Sequence, residues 1–93
     1  MQIEHQPERQ RFVTKTEFGD AELTYAERAA GVLDLQHTFV PGGAREQGLG
    51  SALAEFAMNH ARQNDLKVIP TCSFVQGWLA EHPTYQDVVK ADS

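Results

Sequence analysis

The apolar residues of this chain change their spacing once, at a glycine-rich stretch between residues 42 and 50. Before it, residues 11–40 mostly alternate between apolar and polar side chains, which is the two-residue period of β-strands. After it, apolar residues recur three and four positions apart, which is the period of an amphipathic helix. A short apolar segment, residues 66–70, then follows. Strand, helix and strand make a crossover unit, so the last strand is predicted to run parallel to the strand before the helix.

Three strands are predicted ahead of the glycines, at residues 11–16, 21–28 and 32–40. Short turns join them, which is typical of an antiparallel meander. In the third strand, strict alternation predicts that Leu33, Leu35, His37 and Phe39 share one face. The same alternation puts Asp34, Gln36 and Thr38 on the other face.

The resulting fold class is α+β, with a mixed sheet. It combines the three-stranded antiparallel meander, a fourth strand parallel to the third, one main helix, and short C-terminal helices at residues 74–82 and 83–89. We expect a single domain over residues 10–90, a flexible N-terminus at residues 1–9 and a frayed end at residues 91–93.

Composition excludes several classes of protein. A net charge of -5 argues against binding to nucleic acid or to an anionic membrane surface. No apolar run approaches the roughly 20 residues of a membrane span. The single cysteine, Cys72, excludes an internal disulfide and fits a cytoplasmic location. The four histidines, at positions 5, 37, 60 and 82, lack metal-ligand spacing, so no metal site is predicted.

Four of the seven glycines fall at positions 42, 43, 48 and 50, directly before the helix. A helix N-terminus has unpaired N–H groups and a partial positive charge, and glycine lets the chain close around an anion. The stretch therefore predicts a phosphate cradle. A Walker loop is excluded because no lysine follows Gly50, and a dinucleotide fingerprint is excluded because Leu53 stands where a third glycine is needed. A glycine-rich connection without a ligand stays open as an alternative.

The motif Arg45-x-x-Gly48-x-Gly50 resembles the acetyl-CoA pyrophosphate motif of the GNAT acetyltransferase superfamily. Together with "AELTY", "HTFVPGGAREQGLGSAL", "LKVIPTCSFVQGW" and "HPTYQDVV", it makes residues 10–89 similar to the minimal single-domain GNAT-like proteins. Glu46 departs from the usual small residue of that group. We expect its carboxylate to point to solvent while its amide faces the pyrophosphate.

The resemblance implies an acetyl-CoA-binding N-acetyltransferase whose acceptor is an unidentified amine, on a small molecule or a protein. The alternative is a CoA-binding or protein-interaction module with little or no catalytic activity. The cofactor-binding residues that the resemblance implies are Phe39, Val40, Arg45, Glu46, Gln47, Gly48, Leu49, Gly50, Ser51, Cys72 and Phe74.

His37 and Cys72 are the candidate catalytic residues. Histidine has an unperturbed pKa of about 6.5 and is suited to accept a proton from the amine. A thiol at the end of the fourth strand could donate a proton to the leaving thiolate, or act as a nucleophile. The alternatives are a buried core histidine and a small buried hydrophobe. Pro70 cannot donate to a ladder, so it marks either a divergence of the two parallel strands or an edge.

Overall fold

The computed structural model describes residues 2–91 and contains five strands and two α-helices. The strands are β1 (Glu4–Gln6), β2 (Arg11–Thr16), β3 (Gly19–Ala29), β4 (Val32–Phe39) and β5 (Lys67–Pro70), and the α-helices are α1 (Leu49–Gln63) and α2 (Ser73–Ala80). Short 3₁₀ helices lie at Pro7–Arg9, Gly42–Gln47 and Pro83–Val88. No helix within this part of the chain is long and apolar enough to cross a membrane.

The five strands form one sheet in sequence order, β1-β2-β3-β4-β5. Strands β2, β3 and β4 pair antiparallel, and β5 pairs parallel to β4, which confirms the predicted fold class. Crossover helix α1 connects these two parallel strands. On the far side of β5, Val68 makes a parallel bridge to Val89, so the C-terminal segment continues along that edge.

Glu4–Gln6, which the sequence pattern leaves in the predicted flexible N-terminus, pairs antiparallel with β2 as an edge strand. Its contacts explain why the sequence pattern misses it. The His5 ring stacks on Phe12 with 4.7 Å between centroids, and Arg11 Nε donates to Gln6 Oε1 at 2.8 Å. These contacts form between neighbouring strands and leave no mark on the apolar spacing, and a three-residue strand is too short for a periodic signal. Of the termini, Met1 and residues 92–93 lie outside the described residues.

Helix α1 covers one face of the sheet and builds the core with it. The largest fully buried side chains come from the sheet, α1 and α2, and are Phe12, Leu23, Leu35, Leu53, Met58, Val68 and Val75. Helix α1 ends at Gln63, and Asp65 adopts the left-handed region at φ 56° just beyond the last turn. The bounds of β2 agree with the prediction.

A β-bulge in β4 overturns the predicted faces of that strand. Thr24 pairs with His37 while Tyr25 pairs with Leu35, so Gln36 is an extra residue without a partner on β3. Because one added residue reverses every later side chain, the shared face predicted for Leu35, His37 and Phe39 is wrong. Thr38, paired with buried Leu23, lies on the core face instead, and His37 is exposed.

Candidate functional site

The two parallel strands separate near the carboxyl end of the sheet. The last β4–β5 pair is Leu35 with Pro70, yet β4 continues to Phe39. Pro70 has no N–H, and the chain then turns into α2 with Cys72 as its N-cap. The backbone of β4 beyond Leu35 therefore has no β5 partner on that side.

A cleft of about 500 Å³ opens at this divergence. Its walls are the end of β4, the glycine-rich connection, the first turn of α1 and the start of α2. The lining residues are His37, Thr38, Phe39, Val40, Arg45, Gly48, Gly50, Ser51 and Phe74. A volume of this size is within the roughly 300 to 1,000 Å³ typical of small-molecule sites.

The N-terminus of α1 presents the groups that an anion requires. Gly48 is the N-cap, with φ 69° in the left-handed region, and no side chain caps this end of the helix. The N–H groups of the first turn have no intrahelical partner, and Gly50 and Ser51 of that turn line the cleft. No acidic residue lies in the first turn of α1, and Arg45 adds a positive charge nearby. The combination favours an anionic ligand.

Glycine is favoured for different reasons at Gly48, the N-cap, and at Gly50, in the first turn of α1. A Cβ on Gly48 would meet nothing within 4 Å, so only its left-handed backbone requires glycine. Gly50 has no such backbone demand, but a Cβ there would lie 2.9 Å from Phe74 Cζ. The ring of Phe74 therefore rests directly over the first turn of α1.

Cys72 is buried behind the cleft wall, with 7% of the residue exposed. Its Sγ lies 3.3 Å from Thr38 Oγ1, a hydrogen bond in which either atom can donate. Its backbone N–H donates to the carbonyl oxygen of Leu35 at 2.9 Å. Thr38 lines the cleft, so the thiol contacts a residue of the cleft wall.

Most of the residues predicted to bind cofactor do line one cleft. Phe39, Val40, Arg45, Gly48, Gly50, Ser51 and Phe74 are among its walls, and the catalytic candidate His37 lines the same cleft. Four others are not: the Glu46 side chain is exposed, Gln47 and Leu49 line a neighbouring cleft against β2, and Cys72 is buried. The Leu49 side chain belongs to the core, which leaves its N–H as the group it can offer.

Thr38 is the site residue that the sequence analysis did not select. Strict alternation put it on the opposite face from the core, and the bulge at Gln36 reverses that assignment. The sequence feature that could have indicated Thr38 is the pair His37-Thr38, which opens the stretch "HTFVPGGAREQGLGSAL" on which the family resemblance rests. The core-histidine interpretation of His37 is excluded by its exposure. Among residues 2–91, no group of three or more His, Cys, Asp or Glu side chains could hold a metal ion.

Comparison with known proteins identifies the family. The sequence profile described as GCN5-related N-acetyltransferase matches residues 11–88. The chain belongs to this family. It is also 33% identical to the protein NATD1 of Gallus gallus over 88 residues, covering 92% of this chain and 80% of that protein. The Homo sapiens protein NATD1 is 32% identical over 88 residues, covering 92% of this chain and 78% of that protein.

A solved structure extends the likeness to the fold. A GCN5-like protein from Staphylococcus aureus, solved by NMR in solution, superposes with a TM-score of 0.76 and 31% sequence identity. The match covers 99% of this chain and 90% of that chain. The mixed sheet with its crossover helix is thus the fold of another small GCN5-related protein.

Proposed function

We propose that the cleft binds CoA and that the protein transfers the acetyl group of acetyl-CoA to an amine. The observation that carries this proposal is the left-handed Gly48 immediately before α1, with the unpaired first-turn amides of the helix beside the cleft. The pyrophosphate of CoA would accept hydrogen bonds from the backbone N–H groups of residues 48–51. Arg45 would add electrostatic attraction.

The pantetheine arm fits the end of β4. It is an extended chain with two amide groups, and the free backbone side of residues 36–39 can exchange hydrogen bonds with such a chain as a missing strand would. In this orientation, the thioester would reach the neighbourhood of Thr38, on the wall that Cys72 supports. The adjoining ring of Phe74 would cover the arm.

The reaction requires one bond to form and one to break. The nitrogen of a neutral amine attacks the thioester carbon, the C–S bond breaks, and CoA leaves as a thiolate. His37, exposed at the cleft, is proposed to accept the proton that the amine loses. The thiolate takes up a proton, for which the Thr38–Cys72 hydrogen bond offers a donor. The Thr38 hydroxyl is also suited to stabilise the oxyanion of the tetrahedral intermediate.

The burial of Cys72 favours a second candidate function, a CoA-binding module with little or no turnover. A thiol behind the cleft wall is poorly placed as a nucleophile, although it can still take part in proton transfer through Thr38. Turnover of acetyl-CoA with any member of a broad amine panel favours the enzyme. CoA binding without turnover across that panel favours the module. For either function we infer a cytoplasmic location, which the single free cysteine fits.

Calorimetric titration with CoA tests the binding proposal, using Gly48→Val and Gly31→Val as a matched pair. Both glycines have positive φ, 69° and 79°, and a Cβ at either meets nothing within 4 Å. Both substitutions therefore carry the same kind of backbone strain, about 1 to 3 kcal/mol. Gly31, in the turn between β3 and β4, is not among the residues that line the cleft.

We expect Gly48→Val to weaken CoA binding at least tenfold, while Gly31→Val lowers stability similarly and keeps affinity within about threefold, which is below 1 kcal/mol. Equal affinities in wild type and Gly48→Val would contradict the proposal. So would an equal loss in both variants, because it would trace the effect to general destabilisation.

A further inference from the structure

The carboxylate of Asp34 is buried in an unusual place, on a strand but away from the hydrophobic core. Its neighbours along β4, Leu33 and Leu35, are core residues, so Asp34 points to the opposite face of the sheet. Its side chain is nonetheless only 5% exposed. A buried carboxylate needs partners, since burying an unpaired charge is costly.

Two side chains supply those partners. Arg28 Nε donates to Asp34 Oδ2 at 2.8 Å, and the hydroxyl of Thr71 donates to the other oxygen, Oδ1. The Thr71 hydrogen bond is the main reason that the pKa of Asp34 lies below its usual value, with burial opposing it and Arg28 and Gln36 assisting. The ionised carboxylate is thus held chiefly by a residue from beyond β5.

Thr71 lies at the point where the chain leaves the sheet. The β4–β5 ladder ends at Pro70, and Thr71 is the single residue between Pro70 and Cys72. The Thr71 hydroxyl donates to the carboxylate of Asp34, and the Cys72 N–H donates to the carbonyl of Leu35. Both hydrogen bonds tie the segment after β5 to β4. The position of the Cys72 sulfur against Thr38 depends on this segment.

We propose that Asp34 and Thr71 are a positioning pair that holds the segment between β5 and α2, and with it the Cys72 sulfur at Thr38. This inference rests on the proposed function, because the position of the Cys72 thiol matters for catalysis only if a thioester binds beside Thr38. Fold stability alone is a weak explanation of the pair, since exchanging buried ionic groups for apolar ones is often neutral or stabilising.

Thr71→Val tests the pair because it keeps the β-branched shape and removes the hydroxyl. Thr71 is exposed, so the variant should fold. The readout is the rate at which Cys72, the only thiol, reacts with an aromatic disulfide reagent in the folded apo protein. A buried thiol reacts when its segment opens, so we expect at least a tenfold faster reaction in Thr71→Val. Thr71→Ser should return the rate to within about threefold of wild type, a difference below 1 kcal/mol.

Arg28→Gln is the matched control, because it removes the other partner of the same carboxylate and leaves Thr71 in place. Urea unfolding should show lower stability in this variant, while its thiol rate should stay within about threefold of wild type. An unchanged rate in Thr71→Val, an equal acceleration in Arg28→Gln, or no rescue by Thr71→Ser would each overturn the proposal.

Titration of the same proteins with CoA separates this inference from the proposed function. We expect Thr71→Val to bind CoA within about threefold of wild type, since the hydroxyl lies on the face opposite Thr38 and is not among the cleft residues. Failure of wild type to bind CoA would refute the proposed function, whereas the thiol-rate comparison judges the positioning pair without any CoA present. A large loss of CoA affinity in Thr71→Val alone would show that the pair shapes the binding cleft, which would overturn the assignment to Cys72.

Discussion

Replacing Gly50 by alanine tests whether the space between α1 and α2 is part of the CoA site. Gly50 is the second residue of α1, and its Cβ would lie 2.9 Å from Cζ and 3.1 Å from Cε2 of Phe74. Non-bonded carbons prefer about 3.5 to 4.0 Å. The ring must therefore move by several tenths of an ångström or turn away. Its 43% exposure lets it do so.

Two opposing effects decide the change in stability. Alanine is favoured over glycine in a helix by up to about 1 kcal/mol. Overpacking typically costs about 1 to 3 kcal/mol, and an exposed ring at the end of a side chain belongs at the low end of that range. The free energy of unfolding should thus change by less than about 1 kcal/mol. CoA affinity should fall at least tenfold, or about 1.4 kcal/mol, because the displaced ring narrows the cleft.

A double-mutant cycle with Phe74→Ala isolates the ring as the cause. Phe74→Ala removes the three atoms nearest to a methyl group at position 50, so the effect of that methyl group on CoA affinity should nearly vanish. Affinity is measured by calorimetry and stability by urea unfolding. Gly77→Ala, in α2, is the control for helix propensity, because a Cβ there meets nothing within 4 Å.

The result that would refute this reasoning is an equal loss of affinity from Gly50→Ala with and without Phe74. That outcome would show that the methyl group acts without the ring. Unchanged affinity in Gly50→Ala would be more serious, because it would remove this wall of the cleft from the CoA site.

Two further predictions concern the histidines and the thiol. Burial lowers the pKa of both His5 and His60, and for His5 the charge of His60 also lowers it while Glu8 opposes. As the pH falls, these histidines are therefore protonated in the unfolded chain before they are protonated in the folded protein, so their contribution to stability should be full above about pH 6.5 and be lost below it. His60→Gln should reduce the difference in the free energy of unfolding between pH 7.5 and pH 5.0, measured by urea unfolding. An equal difference in wild type and His60→Gln would contradict this prediction. Cys72→Ala should cost at most about 2 kcal/mol of stability and leave CoA affinity within about threefold of wild type. The rate of acetyl transfer should fall at least tenfold. Full activity in this variant would show that Cys72 contributes only to packing.

The main helix and the meander could be predicted because their signals are local and repeated. Fifteen residues of helical spacing between Gly48 and Asn64 define α1 without reference to the rest of the chain. Strand β1 could not be predicted in this way. It is three residues long, and His5 packs on Phe12 of the neighbouring strand and on His60 of α1, a residue far away in sequence.

The cleft was predictable largely because its residues come from one continuous region, the end of β4 through the first turn of α1. Phe74 joins the cleft, and Cys72 reaches Thr38 of its wall, only through the parallel pairing of β5, which the crossover implies. The tie between Asp34 and Thr71 carries no comparable signal. The two residues stand 37 positions apart, and neither a threonine after a strand nor an aspartate within one predicts the other.

The bulge at Gln36 shows how a single residue decides which chemistry faces the thiol. Glutamine is polar and fits either face of a strand, so periodicity cannot distinguish a bulge from regular alternation at that position. Regular alternation would bring the His37 imidazole to the core face. With the bulge, the Thr38 hydroxyl lies 3.3 Å from the Cys72 sulfur, and His37 stays exposed at the cleft. Under the proposed function, this arrangement would separate the two proton-transfer groups, with the exposed His37 imidazole serving the amine and the part-buried Thr38–Cys72 pair serving the leaving thiolate. Neither group would then need to serve both ends of the reaction, although His37 and Thr38 are adjacent residues of β4.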